Sequence, residues 1–449
     1  MINYPNTPGV KIDEVSTLPP SVVQVATSIP VFLGYTAKNP GGDALRVRSL
    51  KEYEDAFGGP FQHKYAITAS ASAVTTTPIT VSSVATPSVG TYYLYEAMQA
   101  YFLNGGGPCY ILSVGSHTEA VEAADFITGL DKVARSDEPT LIVMPEAASL
   151  GTTAYGTVIT KALLTAELLE DKFVILDTPK GQDMLTAANL SAYRSSTGTD
   201  ALNRGAAYFP HLETVYAYQF DESSTYNGST LLSLKNSGSG NYGVAMSILK
   251  STGKVTLPPS AMMAGLYATS DRSRGVWKAP ANMSLQGVVK PVTAVSDSTQ
   301  EGLNVDATTG KSINVIRSFT GQGTLVWGAR TLAGNDNEWR YINVRRLFLT
   351  VEESVKKAMV PFVFESNDAK TWVKVRAMIQ SYLRGVWQDG GLQGVTEKEA
   401  FFVQVGLGQT MSELDILEGK MIVEVGIAAV RPAEFIILRF QHYTESASL

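Results

Sequence analysis

Between Tyr92 and Asp177 the chain alternates between two apolar periods, and that alternation restricts its fold more than any other feature. Tyr92 to Leu103 has helical spacing and stops at Gly105, Gly106 and Gly107, after which Cys109 to Val114 is a continuous apolar run of strand length. Thr118 to Leu130 is again helix-like and Thr140 to Met144 is a buried strand. Ala154 to Glu170 is helical, with Val158, Ala162, Ala166 and Leu169 on one face, and Phe173 to Asp177 is another strand. Strands alternating with helices at this spacing predict an α/β fold, mixed with α+β elements, around a doubly wound core with a mainly parallel sheet.

The flanking segments differ in kind. Tyr4 to Pro30 carries Pro5, Pro8, Pro19, Pro20 and Pro30 around the β-branched run Ser21 to Val25, so it reads as an extended arm leading into the strand Val31 to Tyr35. Ala66 to Gly90 is rich in Ser, Thr, Ala and Val, which suits either short strands on an outer lobe or a mobile insert. Asp221 to Pro259 is rich in Ser, Gly, Asn and Thr and reads as loops or short strands. Helices are predicted at Tyr341 to Met359 and at Asp368 to Trp387, the second with Trp372, Val375, Ile379, Leu383 and Val386 on one face. Phe401 to Val405, Met421 to Ile427 and Glu434 to Phe440 are strand-like, around an acidic turn at Ser412 to Glu418 that Ser412 can cap.

A length of 449 residues exceeds one ordinary core, so the chain is read as multi-domain. The divisions are an N-terminal arm at 1–30, an α/β domain at 31–220 with its insert at 66–90, a loop or β insert at 221–256, a C-terminal domain at 257–433 and a C-terminal strand arm at 434–449. Charged residues make up only 17%, which points to surface covered by other copies or partners. A net charge of −6 argues against nucleic acid as a partner. The single cysteine, Cys109, asks for no oxidising compartment. The N-terminus lacks a signal-peptide pattern, and no apolar run approaches the roughly 18 residues of a membrane span. The expectation is assembly in a cytoplasm, without export by a signal peptide and without membrane insertion.

Gly105 to Gly107 lie between a helix and a strand, whereas a phosphate-cradling loop follows a strand and opens a helix. A helix stop with close backbone packing is the better reading. Asp177 ends a strand as the acid of a nucleotide-hydrolysis site does, yet no G-x-x-x-x-G-K-[ST] precedes it, and it reads as a strand-end turn or helix cap. His63, His117, His211 and His442 have no metal-binding spacing, no G-x-S-x-G is present, and Cys109 sits in an apolar strand. No catalytic residue, metal or cofactor is expected. Trp277, Trp327, Trp339, Trp372 and Trp387 read as core and interdomain packing.

Several segments resemble a known family. Pro8-Gly9-Val10 with Ile12 to Val15, then Val25-Ala26-Thr27-Ser28 and Val31 to Gly34, resemble the opening of contractile tail sheath proteins. Asp271-Arg272-Ser273-Arg274-Gly275-Val276-Trp277-Lys278-Ala279-Pro280-Ala281-Asn282 resembles that family's signature, as do Val326 to Leu332 and Glu338 to Leu347. The likeness continues through Phe364 to Asp368, Ala400 to Val403 and Val430 to Phe435. The stretches 66–90 and 222–254 depart from it.

The resemblance implies a structural subunit that stacks as six-membered rings around an inner tube and contracts to drive it through an envelope. It implies terminal arms that complete a sheet shared with neighbouring copies, matched here by Val10, Ile12, Val15, Val22, Val23 and Val25 and by Phe435, Ile436, Ile437, Leu438 and Phe440. The implied partners are further copies of the chain, an inner tube protein, and baseplate and terminal cap proteins. Candidate tube-facing charges are Glu413, Asp415 and Glu418, or Lys370, Lys374 and Arg384, with simple solvation as the alternative. A baseplate-proximal or cap-associated paralogue is the second reading, and an enzyme using the doubly wound crevice is the third.

Overall fold

The computed structural model describes residues 21–68, 80–83, 92–179, 184–251 and 254–436. Chain contacts divide these into a larger unit, 25–353 with 429–436, and a smaller one, 21–24 with 354–428.

The larger unit is built on an eight-stranded sheet in the order Gly323–Trp327, Ile313–Phe319, Gly205–Phe209, Phe173–Asp177, Leu141–Val143, Pro30–Thr36, Cys109–Ser116, Leu45–Val47. The six inner strands run parallel, and an antiparallel strand closes each edge. Alternate residues serve opposite faces: Phe32, Leu141, Val143 and Ile175 enter one core, while Val31, Leu33, Ile142 and Val174 enter the other. Burial on both sides is why the central strands carry continuous apolar runs such as Leu141–Val143 and Phe173 to Leu176. The edge strand Gly323–Trp327 is itself covered, because Asn282 and Leu285 donate to Val326 and Thr324 while Val326 donates to Met283.

Asn104 ends the helix Leu94–Leu103, and Gly105 follows at φ +88°. A Cβ on Gly106 would lie 2.4 Å from the Tyr101 ring, so this glycine allows close packing as the sequence implied. Asp177 caps a helix from 83 residues away, its Oδ1 accepting the Ser260 amide at 2.7 Å where Ser260–Arg274 begins.

The two stretches that depart from the family pattern fold together. Thr225–Tyr226 pairs in parallel with Ala66 and Ile67 of the strand Tyr65–Thr68, which also pairs with Thr80–Ser83. Ile67, Leu231, Ala245 and Leu249 form a separate small core. The expectation of loops or short strands over 221–256 is corrected here, since helices occupy Leu231–Asn236 and Gly240–Ser251. Thr230 caps the first, and the spacings Leu231/Leu234 and Ala245/Leu249 are helical but diluted by Gly, Ser and Asn.

Among the described residues, neither 21–29 nor 431–436 forms a strand. The strand predicted from Glu434 is therefore absent over Glu434 to Ile436. Val10, Ile12, Val15, Ile437, Leu438 and Phe440 lie outside the described residues.

In the smaller unit, Asp368 caps the helix Ala369–Gln388, which buries Val375, Ile379, Leu383 and Val386. Phe401–Gln404 pairs antiparallel with Glu424–Ile427, and Ser412 caps the short helix Glu413–Leu417. None of the five tryptophans is fully buried, which corrects their reading as core; Trp327 is 40% exposed.

Candidate functional site: the roots of the terminal segments

The helix Ile342–Met359 begins in the sequence Tyr341-Ile342-Asn343-Val344-Arg345-Arg346, and the Asn and Arg side chains of this first stretch do not face water. Asn343 and Arg346 are buried because each reaches a fixed partner, and the Arg345 guanidinium lies 4.6 Å from the Trp339 ring centre. Arg346 meets Asp271, near the end of Ser260–Arg274, in a two-pronged pair: Nη1 to Oδ1 at 3.0 Å and Nη2 to Oδ2 at 2.6 Å. The side chains are only 3% and 4% exposed.

Two buried charges cost several kcal/mol in lost hydration, roughly, and are tolerated only when further bonds satisfy them. Thr27 supplies those bonds. Its hydroxyl donates to Asp271 Oδ2 at 2.6 Å and its carbonyl accepts from Arg346 Nη2 at 2.8 Å. The Arg346 guanidinium also lies 4.6 Å from the Tyr267 ring centre, and the Tyr267 hydroxyl bonds that of Tyr208. The N-terminal segment is thus clamped to the core at Thr27.

The C-terminal segment has its own clamp. Glu434 receives Arg330 Nε on Oε1 at 2.9 Å and Nη2 on Oε2 at 2.7 Å. Asn304 donates to Oε1 at 2.7 Å and the Tyr341 hydroxyl to Oε2 at 3.1 Å. Burial pushes the Glu434 carboxyl up, but the bonds from Arg330 and Asn304 outweigh it and hold the group below the usual range. Arg330 is fixed in turn by the Gly334 carbonyl and, through its amide, by Asn314. Asn343 Nδ2 bridges the carbonyls of Trp277 and Val430, each at 2.9 Å.

Outside these clamps the terminal residues are apolar and exposed: Val23 at 76%, Phe435 at 70% and Ile436 at 79%. Val22 and Val25 are half-buried. Thr27, Asp271, Arg330, Arg346 and Glu434 lie in the segments that resemble the family, but nothing local in the sequence marks them as clamps. The available signal was charge recurring inside otherwise apolar segments.

The six candidate tube-facing charges all fall in the smaller unit. Arg384 is held by Glu397 through two bonds of 3.0 Å, Glu418 by Lys420, and Asp415 by Ser412. Lys370, Lys374 and Glu413 are exposed.

The doubly wound crevice opens where the chain places Cys109–Ser116 on one side of Pro30–Thr36 and Leu141–Val143 on the other. A buried carboxylate of the chain fills it. Glu146 accepts the Tyr35 amide at 2.6 Å and the amides of Tyr93 and Leu94, each at 2.9 Å, at the start of Leu94–Leu103. The helix N-terminal amides that an outside anion would use are already taken by Glu146.

Comparison with known proteins places these clamps in context. Residues 119–332 match the model described as phage tail sheath protein central domain, and residues 334–442 match that of the phage tail sheath C-terminal domain. The chain is 32% identical to a protein in the contracted PVC sheath complex of an extracellular contractile injection system, covering 98% of each chain with a TM-score of 0.67. It is 33% identical to a chain of the six-fold symmetrised anti-feeding prophage baseplate, covering 98% and 100%, with a TM-score of 0.68. It is 29% identical to the tail sheath protein of Vibrio phage KVP40 over 30% of this chain, a match spanning 20% of that longer relative.

Proposed function

The chain belongs to the phage tail sheath family, and from that premise we propose how this structural subunit does its work. Copies stack as rings of six in a helical lattice around an inner tube, between a baseplate and a terminal cap, and shorten to drive the tube through a target envelope. Assembly takes place in a bacterial cytoplasm.

One observation carries this reading: each terminal segment is clamped to the α/β core by a buried ion pair, Asp271–Arg346 at Thr27 and Arg330–Glu434, while the apolar residues beyond stand exposed. A segment fixed at its root and apolar beyond it suits strand exchange with another copy. The acceptor is the sheet of Phe401–Gln404 and Glu424–Ile427, since two strands alone are marginal and added strands complete them. The arms comprise Val10 to Ala26 and Glu434 to Tyr443. Domain divisions near 220, 257 and 433 follow from the same reading.

Contraction in this account is a downhill release from a metastable extended lattice. The Glu146 carboxylate in the crevice supports a motor without nucleotide, because the amides a phosphate would use are taken. Either Lys370, Lys374 and Arg384 or Glu413, Asp415 and Glu418 face the tube, singly weak at below about 1 kcal/mol and so able to release together.

Negative-stain electron microscopy of the full-length protein, with sedimentation, tests the proposal. Helical tubules with a lumen wide enough for a tail tube are expected, and uniform small oligomers would overturn it. Removing Met1 to Pro20, or everything after Arg439, should leave folded monomers that form no tubules.

A further inference from the structure

The segment between the helices Ile342–Met359 and Ala369–Gln388 departs from ordinary packing. Val360–Phe362 is a single turn of 3₁₀ helix that buries Phe362 and leaves Val360 and Val363 about two-thirds exposed, at 64% and 60%. Phe364 beyond it is fully exposed and has φ +70°, a region bulky side chains rarely adopt. The loop is nonetheless fixed, because Val363 and Glu365 donate to the carbonyls of Val360 and Phe362. A large apolar side chain held outward on strained backbone is a knob built for a partner.

The larger unit carries a cavity of complementary character. It measures 530 Å³ and lies beside the Glu434 clamp, with Trp277, Trp327, Tyr341 and Pro432 among its walls. Lys278 and Arg431 stand at it. Burial and the adjacent Arg274 hold the Lys278 ammonium below its ordinary value, so an arriving carboxylate relieves a repulsion. The buried Asn343 Oδ1, also on this cavity, has no hydrogen-bond partner. The knob carries Glu365 directly after Phe364, so the charges of the two surfaces are opposite.

We propose that Phe364, with Val363 and Glu365, inserts into the Trp277–Trp327 cavity of a second copy of this chain, making a heterologous contact that helps set the polymer lattice. The proposal rests on the sheath reading. It adds a contact made by side chains, apart from any exchange of terminal strands, and a knob on one surface with a hole on another generates either a closed ring or an open helix, the two repeats of a sheath lattice.

Placing the photocrosslinking residue p-benzoylphenylalanine at 364 in the full-length protein tests the contact directly. In assembled tubules the expected product is a dimer whose linked peptide contains Trp277 to Asn282 or Val430 to Ile436. A dimer linked elsewhere, or tubules that form without crosslinks, overturns the inference and leaves the sheath reading intact. Failure of the wild-type protein to form tubules overturns the sheath reading itself. Phe364→Gly separates folding from assembly, since glycine accepts φ +70° without strain. Its monomer should melt no lower than wild type, while the concentration needed for tubules rises about tenfold or more, the loss expected for one buried Phe. An unchanged concentration would also overturn the contact.

Discussion

Asn343 and Arg346 lie one helical turn apart, the first holding the C-terminal segment at the Val430 carbonyl and the second holding the N-terminal segment at Thr27. Both terminal segments are therefore fastened to one short stretch of one helix. A pull on either root reaches the other through about 4.5 Å of regular backbone.

Arg346→Met leaves Asp271 buried without its cation. Unfolding in denaturant should show a loss of about 3–5 kcal/mol. Adding Asp271→Asn to that variant should recover part of the loss, and no recovery would argue that the pair does not act as a unit.

Glu434→Gln keeps the shape of the C-terminal clamp but discards its charge. Hydrogen exchange at 430–436 should speed up while the core strands keep their protection. Unchanged exchange would place the hold on this segment elsewhere, with Asn343 the next residue to replace.

Three buried carboxyls make stability depend on pH. Burial pushes Glu96, Glu146 and Asp177 up to about 7, against ordinary values of 4.5, 4.5 and 3.8. A carboxyl whose pKa is raised by folding contributes its full stability below the unfolded value and loses it as pH rises through the folded one. Stability should therefore fall between about pH 4.5 and pH 7. Glu96 isolates the effect, since its Oε2 is buried without a partner. Glu96→Gln should flatten the decline by up to about 3 kcal/mol, read from denaturation midpoints across that range.

Ile67→Asn puts an amide into the small core shared by the two inserts. Limited proteolysis should then cut within 225–251 at low protease, although the substitution lies far away in sequence. The main thermal transition should move little, and protection of 225–251 would separate the inserts.

The main sheet was legible because its central strands are buried on both faces and so form continuous apolar runs, as Phe173 to Leu176 illustrates. Helix ends were legible where a cap announces them, as at Ser412 and Asp368. The helices at Leu231–Asn236 and Gly240–Ser251 were not, because each buries too few apolar residues to stand out among Ser and Gly. The clamps were hidden for a different reason: Thr27 and Arg346 are 319 residues apart, and nothing local marks them as partners. The Glu146 contacts likewise join strand ends that only the crossover brings together.

The covered edge at Gly323–Trp327 bears on how such a chain survives before it assembles. Unpaired strand edges join whatever backbone they meet, and a subunit made at high concentration to pair with its own copies is the most exposed to that error. With Asn282, Met283 and Leu285 bonded along this edge, the largest sheet in the molecule is closed to newcomers there. If the terminal segments pair between copies as proposed, this covered edge leaves growth to them and keeps it in register.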